Sequence, residues 1–98
     1  DTVSAIIKII DSNVVNEIYN ISGNYETQNI EVAKKILYNY GILNNEEDYI
    51  DGNEKRLGQD VRYSVNDNKL KKLGWKPSAI FDKELKTIVD YYKKNFIW

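Results

Sequence analysis

The sequence predicts an α+β chain, a small helix-rich lobe with short strands. Three stretches repeat apolar residues at the spacing i, i+3, i+4 that marks one face of a helix. Between them lie short stretches rich in β-branched and aromatic residues, which favour strands. A chain of 98 residues that is 42% hydrophobic forms one domain at most, with a modest core. Its strands are too few for a complete doubly wound sheet.

The first part of the chain predicts a helix followed by a strand. The apolar stripe of this helix consists of Val3, Ile6, Ile7 and Ile10. Asp1 is a residue type that accepts hydrogen bonds from the free N–H groups of a first turn, so we expect it to be the N-cap. The residues Glu17–Ile21 are predicted to form a short strand that ends at Gly23.

The second helix is predicted to begin at Asn29 and to end at Gly41, which suits a left-handed C-terminal cap. Its apolar stripe consists of Ala33, Ile36, Leu37 and Tyr40. From Leu43 to Lys55 the sequence is polar, acidic and rich in Asn, which indicates a loop. A short strand at Tyr49 and Ile50 is the one element expected within this loop.

The last part of the chain predicts a strand and two more helices. Polar and apolar residues alternate along Asp60–Val65, which predicts a strand. Asn66 can then cap a short helix that ends at Gly74. Asp82 is expected to cap the final helix. The apolar residues are Leu70 and Leu73 in the short helix, and Leu85, Ile88, Val89, Tyr92 and Phe96 in the final one.

The composition argues against several classes of function. Fourteen basic and fifteen acidic residues leave a formal charge of −1, so no overall field attracts nucleic acid or an anionic membrane. Neither Cys nor His occurs, and the acidic residues 46–51 lack the spacing of a calcium loop, so we expect no metal site. No run is long and apolar enough for a membrane span, and we expect a cytoplasmic protein. Because the sequence opens on Asp1 rather than Met, we expect a fragment.

Both arginines of the chain lie within one short stretch, R-x-G-x-D-x-R-Y, at Arg56 and Arg62. A planar guanidinium binds phosphate or carboxylate through two parallel hydrogen bonds, and Gly58 allows a tight turn or a close approach to a ligand. Asp60 can fix one of the guanidinium groups by a salt bridge. The residues leave two interpretations open, an anion site or two solvated charges beside an ordinary turn.

A second stretch runs from a predicted strand into a glycine turn at Gly23 and on to Asn29 at the start of a helix, with Glu26 in between. The N-terminus of a helix favours anions, because its first N–H groups are unpaired and carry partial positive charge. Asn29 is therefore either a plain N-cap or a contact to a phosphate.

Taken together, these motifs resemble the C-terminal half of the nucleotide-sugar dehydratases and epimerases of the extended short-chain dehydrogenase family. The resemblance covers nearly the whole chain, and its most specific parts are R-x-G-x-D-x-R-Y and the K-x-x-x-L-G-W-x-P that follows it. The segments YNISG, E-x-x-N and RLGQDVRY are most similar to those of the dTDP-glucose 4,6-dehydratases. Related 4,6-dehydratases and 4-epimerases are the alternatives.

The resemblance implies that residues 1–98 form a sugar-nucleotide-binding domain. The implied substrate-binding residues are Asn29, Arg56, Gln59, Arg62 and Tyr63. Among them, Asn29 and Arg56 stand where family members contact the nucleotide diphosphate. Gln59 stands where the family usually has histidine, and Leu57 replaces a usual proline. A glutamine cannot carry charge, so the preference for nucleobase or phosphate can differ.

The resemblance also implies a parent enzyme that uses NAD, bound by an N-terminal Rossmann domain, and that is a homodimer. Family members hold NAD on a glycine-rich turn and use a Tyr-x-x-x-Lys pair for the redox step. The five glycines here are scattered, and none of the eight tyrosines has a lysine four positions later. We therefore expect no catalytic residue and no cofactor on this chain, only binding of the substrate. A non-catalytic binding or interaction module is the alternative from another class.

Overall fold

The computed structural model describes residues 1–53 and 57–96. Within these ranges it contains α1 (Thr2–Asp11), α2 (Asn29–Tyr40), a 3₁₀ turn (Glu46–Asp48), α3 (Asn68–Lys71) and α4 (Phe81–Asn95). The four predicted helices are confirmed. The chain divides into two compact units, and each is described by itself. Unit 1 consists of Asp1–Glu26 and Val61–Ala79, and unit 2 consists of Thr27–Asp60 and Ile80–Trp98.

The predicted strands do not form. In residues 1–53 and 57–96 the chain has helices and no strand, so the α+β class is wrong, together with the strands at 17–21, 49–50 and 60–65. The alternation behind the first of them is present, since Tyr19 and Ile21 are half-buried while Ile18 and Asn20 are exposed. A strand also needs a second backbone at hydrogen-bonding distance, and an alternating pattern does not supply one.

The segment 17–21 is held by hydrogen bonds from side chains rather than by bonds between strands. The Lys69 Nζ donates a hydrogen bond to the Ile18 carbonyl at 3.0 Å and lies 4.8 Å from the centroid of the Tyr19 ring. The Asn20 Nδ2 donates to the Asn66 carbonyl at 3.3 Å. Each of these bonds involves a single side chain, so the segment is held without a second strand aligned beside it.

The predicted strand at 49–50 is instead the end of the 3₁₀ turn. The backbone N–H groups of Tyr49 and Ile50 both donate to the Glu46 carbonyl, at 3.0 and 3.1 Å. These bonds are local, and the two N–H groups are therefore not available to a neighbouring strand.

The core of unit 1 is small. Ala5 on α1 and Leu70 on α3 are fully buried, and Trp75 is 6% exposed. The half-buried side chains around them are Ile9, Tyr19, Ile21 and Leu73. The Trp75 Nε1 donates a hydrogen bond to the Ser4 Oγ at 3.0 Å, which satisfies the one polar group of the indole. This core joins α1 to residues far along the chain.

The apolar stripe predicted for α1 faces away from this core. Val3, Ile6, Ile7 and Ile10 have exposed fractions of 70%, 48%, 52% and 67%, whereas Ala5 lies in the core. Helical periodicity identifies an apolar face, but it does not say what covers that face. The described residues of unit 1 leave this one largely uncovered.

Asp1 precedes α1 as predicted, but its carboxylate binds elsewhere. It forms no side-chain cap on α1 and instead accepts hydrogen bonds from the backbone N–H groups of Ser78 and Ala79, at 2.9 and 3.2 Å. The Ser78 Oγ donates to the same carboxylate at 3.2 Å. Asp1 therefore links the two sequence segments of unit 1.

The predicted start of α2 at Asn29 is confirmed, whereas the N-cap predicted for α4 at Asp82 is wrong. Gln28 and Ile80 are the N-caps, so Asn29 and Asp82 lie inside α2 and α4. At the start of each helix, two backbone N–H groups donate to one carbonyl, that of Gln28 in α2 and that of Ile80 in α4. Asp82 forms an ion pair with Lys35 instead. Capping preference locates a helix start to within a residue or two, and backbone geometry decides the rest.

The start of α3 uses two neighbouring side chains. The Asn66 Oδ1 accepts a hydrogen bond from the Asn68 N–H at 2.8 Å, as expected of a capping residue, although Asp67 is the N-cap. The Asp67 side chain is 4% exposed and its Oδ1 lies 2.7 Å from the Lys71 Nζ. This ion pair compensates the charge of the one buried polar side chain among the described residues.

The glycines predicted to end α2 and α3 are confirmed. Gly41 is the C-cap of α2 with φ of +109°. Gly74 has φ of +85°, and its N–H donates to the Lys71 carbonyl at 2.9 Å. Positive φ is strained for other residue types, which explains glycine at both positions.

In unit 2, α2 packs against α4 and Val89 is the buried residue of α4. The Lys93 Nζ lies 5.1 Å from the centroid of the Tyr40 ring, one of several aromatic contacts along these helices. A groove of about 500 Å³ remains in this unit. It is lined by Ile36, Tyr40, Leu85, Ile88, Val89, Tyr92, Lys93 and Phe96. The predicted stripes of both helices are thus in contact but only partly buried.

The small core of unit 1 makes Leu70 the decisive side chain for stability. Truncation of a fully buried leucine leaves a cavity and lowers the free energy of unfolding by about 2–5 kcal/mol. We therefore expect Leu70→Ala to remove much of the stability of so small a chain. Leu57 is fully exposed and is the matched control. Urea denaturation followed by circular dichroism measures the free energy of unfolding of both variants. Equal midpoints for Leu70→Ala and Leu57→Ala would contradict the assigned core.

Candidate functional site

The stretch from Leu57 to Tyr63 begins with a tight turn at Gly58 and is exposed to solvent. Gly58 has φ of +75°, so the turn requires glycine, and the space beside its Cα is open. Leu57 and Val61 are fully exposed and Tyr63 is 81% exposed. The tight turn predicted at Gly58 is therefore confirmed, and three apolar or aromatic side chains stand uncovered around it.

Arg62 and Glu26 form a bidentate ion pair in unit 1. The Arg62 Nε donates to the Glu26 Oε1, and the Arg62 Nη2 donates to the Glu26 Oε2 at 2.8 Å. The side chains are 68% and 52% exposed. The sequence suggested Asp60 as the carboxylate that fixes an arginine, and for Arg62 the partner is Glu26 instead.

Each member of this pair stabilises the charged form of the other. The hydrogen bonds from Arg62 lower the pKa of Glu26 below its ordinary value of 4.5; loss of hydration opposes this effect, and the positive charge of Arg62 adds to it. The same bonds raise the pKa of Arg62. Both groups are therefore charged at neutral pH.

A groove of about 440 Å³ lies beside the ion pair. It is lined by Ile21, Ser22, Asn24, Tyr25, Glu26, Tyr63, Ser64 and Val65. We call it the Tyr63 groove. Its volume falls within the range of small-molecule sites, and hydroxyl, amide and carboxylate groups alternate with apolar side chains along its wall.

The predicted substrate-binding residues fall in different parts of the chain. Tyr63 lines the groove and Arg62 is bonded to a lining residue, both in unit 1. Asn29 and Gln59 belong to unit 2 and are exposed, Asn29 as the first residue of α2. Arg56 lies outside the described residues.

Sequence reasoning missed most of the groove wall. Ser22, Tyr25, Glu26 and Ser64 were not predicted as binding residues, although Ser22 and Glu26 lie within quoted motifs and the other two lie next to one. The one usable signal was Glu26, the first residue of E-x-x-N, because its negative charge is opposite to that of an arginine in the other motif. Its pairing with Arg62 spans 36 positions in sequence, too far for local patterns to reveal.

Residues 1–53 and 57–96 hold no group of three or more His, Cys, Asp or Glu arranged to bind a metal ion. Over the same part of the chain, none of the helices has the length and apolar character needed to cross a membrane.

Comparisons with known proteins agree with the motifs. The chain is 32% identical over 98% of its length to a dTDP-D-glucose 4,6-dehydratase of Mus musculus, of which it covers 28%. It is 36% identical over its full length to a dTDP-glucose 4,6-dehydratase of Neisseria meningitidis, of which it covers 30%. It is 37% identical over 94% of its length to the low-salt glycan biosynthesis protein Agl12 of Haloferax volcanii, of which it covers 29%.

These matches confirm the resemblance to the dTDP-glucose 4,6-dehydratases along nearly all of the chain. The chain spans less than a third of the length of the curated relatives it matches. No family model matches it. Among solved structures, no match was found.

The lowered pKa of Glu26 predicts a pH dependence. The ion pair stabilises the folded chain above the ordinary carboxyl pKa of 4.5, and this contribution is lost as the pH falls through the lower pKa of the folded state. In Arg62→Gln the titration midpoint of Glu26 should therefore rise toward 4.5. Carbon-13 NMR of the Glu26 carboxyl measures it, with Lys69→Gln, which breaks the exposed pair with Glu17, as the control. An unchanged Glu26 midpoint in Arg62→Gln would refute the pairing.

Proposed function

We propose that this nucleotide-sugar dehydratase-related chain is the C-terminal substrate-binding lobe of an NAD-dependent dTDP-glucose 4,6-dehydratase. The observation that carries the proposal is its similarity, along nearly its whole length, to several proteins that bear that name. In this proposal the parent enzyme converts dTDP-glucose to dTDP-4-keto-6-deoxyglucose with loss of water, and this lobe binds the nucleotide end of the substrate.

The exposed surface around the Tyr63 groove supports a binding role. A guanidinium, hydroxyl groups and aromatic rings lie together there, and these are the groups that bind phosphate and stack on a base or sugar ring. In unit 2, the turn at Gly58 is open to solvent and Gln59 directly follows it in the chain. Arg56 and Asn29 complete the proposed set of substrate contacts.

The redox chemistry is assigned to other parts of the parent enzyme. NAD supplies hydride transfer when it is bound, and the residues of this chain do not fit it, because there is no glycine-rich dinucleotide turn and no Tyr-x-x-x-Lys. The contribution of this chain is to bind and orient the substrate. The cytoplasmic location, expected from the composition, and the homodimeric parent, implied by the resemblance, are further parts of the proposal.

A related nucleotide-sugar lobe with another base or sugar preference is the second candidate. The Haloferax volcanii relative, whose name refers to glycan biosynthesis, favours it, as does Gln59 at a position where the resemblance predicts histidine. An uncharged amide offers hydrogen bonds without charge, which changes how a base or phosphate is recognised.

Binding of dTDP by the chain tests the proposal. Two or three charge-assisted hydrogen bonds predict a Kd on the order of 1 mM, which NMR titration can measure. We expect shifts at Arg62 and Tyr63, and severalfold weaker binding in Arg56→Ala and in Arg62→Ala. Lys72→Ala removes an exposed cation of unit 1 and is the control.

A parallel titration with UDP distinguishes the two candidates. Tighter binding of dTDP supports the first, and tighter binding of UDP supports the second. A folded chain that binds neither nucleotide at millimolar concentration would refute a nucleotide-binding lobe.

The exposed face of α1 supports a further part of the proposal, namely that the Rossmann domain of the parent covers it. Val3, Ile7 and Ile10 are each at least half exposed on one helix, and the relatives are more than three times longer than this chain. Clusters of exposed apolar side chains mark interaction surfaces.

Without that partner, the chain should self-associate through α1. We expect sedimentation velocity to show a mass that rises with concentration, and Ile10→Lys should reduce the association because it places a charge on the apolar face. Thr87→Lys adds the same charge at an exposed polar position of α4 and should leave the association unchanged. A chain that stays monomeric at all concentrations and has a sharp, high-temperature melt would contradict this expectation.

A further inference from the structure

We propose that Glu26 is a positioning residue that holds the Arg62 guanidinium with one pair of N–H groups open to a phosphate oxygen. The proposal rests on the proposed function, because the phosphate is that of a nucleoside diphosphate. It concerns a residue outside the predicted set of substrate contacts, and it assigns Glu26 a role through Arg62 rather than on the substrate.

The geometry of the ion pair leaves half of the guanidinium available. An arginine has five N–H donors in a planar arrangement, and Glu26 takes one from Nε and one from Nη2. Two donors remain on Nη1 and one on Nη2, and one N–H of Nη1 together with that of Nη2 forms a second planar fork. Arg62 donates to no other residue in the part of the chain that the structure describes, and its side chain is 68% exposed. This fork has the shape that binds an oxyanion through two parallel hydrogen bonds.

Orientation is what Glu26 adds. An exposed arginine side chain has many rotamers, and binding a ligand requires that most of them be given up. A bidentate carboxylate restricts the rotamers of Arg62 before the ligand arrives. Because the charges of the pair cancel, the site attracts a distant anion only weakly, and its affinity depends on the placement of donors at close range.

The same pair holds the groove together. Glu26 lines the Tyr63 groove, and Arg62 directly precedes Tyr63 in the chain. The bond between Glu26 and Arg62 therefore ties residues 21–26 to residues 62–65, the two stretches that supply all of the groove wall. Orientation of the guanidinium and formation of the groove depend on one contact.

Substitution of Glu26 distinguishes two roles of its carboxylate, orientation of Arg62 and repulsion of the phosphate. Loss of a negative charge beside a phosphate site should tighten binding if Glu26 only repels the ligand. Loss of the carboxylate that orients Arg62 should weaken binding if Glu26 positions it. The two interpretations predict changes of opposite sign in the same measurement.

The experiment is an NMR titration of the 98-residue chain with dTDP at neutral pH. We expect Glu26→Gln to weaken binding by about two- to tenfold, the factor that corresponds to ordering one flexible side chain. Glu26→Asp, which keeps the carboxylate, should recover part of the affinity. Glu17→Gln is the control, because Glu17 is a half-exposed carboxylate of unit 1 that pairs with Lys69 and does not line the groove. It should bind as the unaltered chain does.

A second background tests the dependence on Arg62. In Arg62→Ala, the further change Glu26→Gln should no longer weaken binding, since there is no guanidinium left to orient. Amide spectra of each variant confirm that it is folded. Equal or tighter binding by Glu26→Gln in a chain that does bind dTDP would overturn the positioning role and leave the proposed function intact. A folded, unaltered chain that does not bind dTDP would overturn both.

Discussion

Leu70 and Trp75 pack against Ala5 of α1, and this contact is the one on which the rest of unit 1 depends. It joins the beginning of the chain to residues about 65 to 70 positions later, with support from the bond between Trp75 and Ser4. Glu26 and Arg62 can meet only because residues 1–26 and 61–79 belong to the same unit. An exposed ion pair contributes little stability, so it cannot assemble these segments and must rely on the core to bring them together.

The size of this core explains the surface of the chain. A short chain buries a small share of its apolar groups, and here much of the apolar content of α1 and of the turn at Gly58 remains exposed. Such a surface is unfavourable for a domain in isolation.

The electrostatic character of the candidate site is local. The chain as a whole is nearly neutral, and the described arginine is paired with a carboxylate. Recognition of an anion at such a site depends on fixed donors at short distance, because salt and solvent screen the weak field further away. The paired guanidinium of Arg62 differs in this respect from a free cation, which would bind anions with little discrimination of geometry.

The sequence by itself determined the helices, their approximate ends, the glycines at Gly41 and Gly74 and the relationship to the dTDP-glucose 4,6-dehydratases, because these follow from local periodicity, capping and motifs in register. Only the tertiary structure decided that residues 17–21 and 60–65 form no strands, since a strand requires a neighbouring backbone. It also decided which face of α1 is buried, that Asp1 binds Ser78 and Ala79, and that Glu26 is the partner of Arg62. These are contacts between distant residues, and a linear pattern contains no information on which of several suitable partners comes within reach.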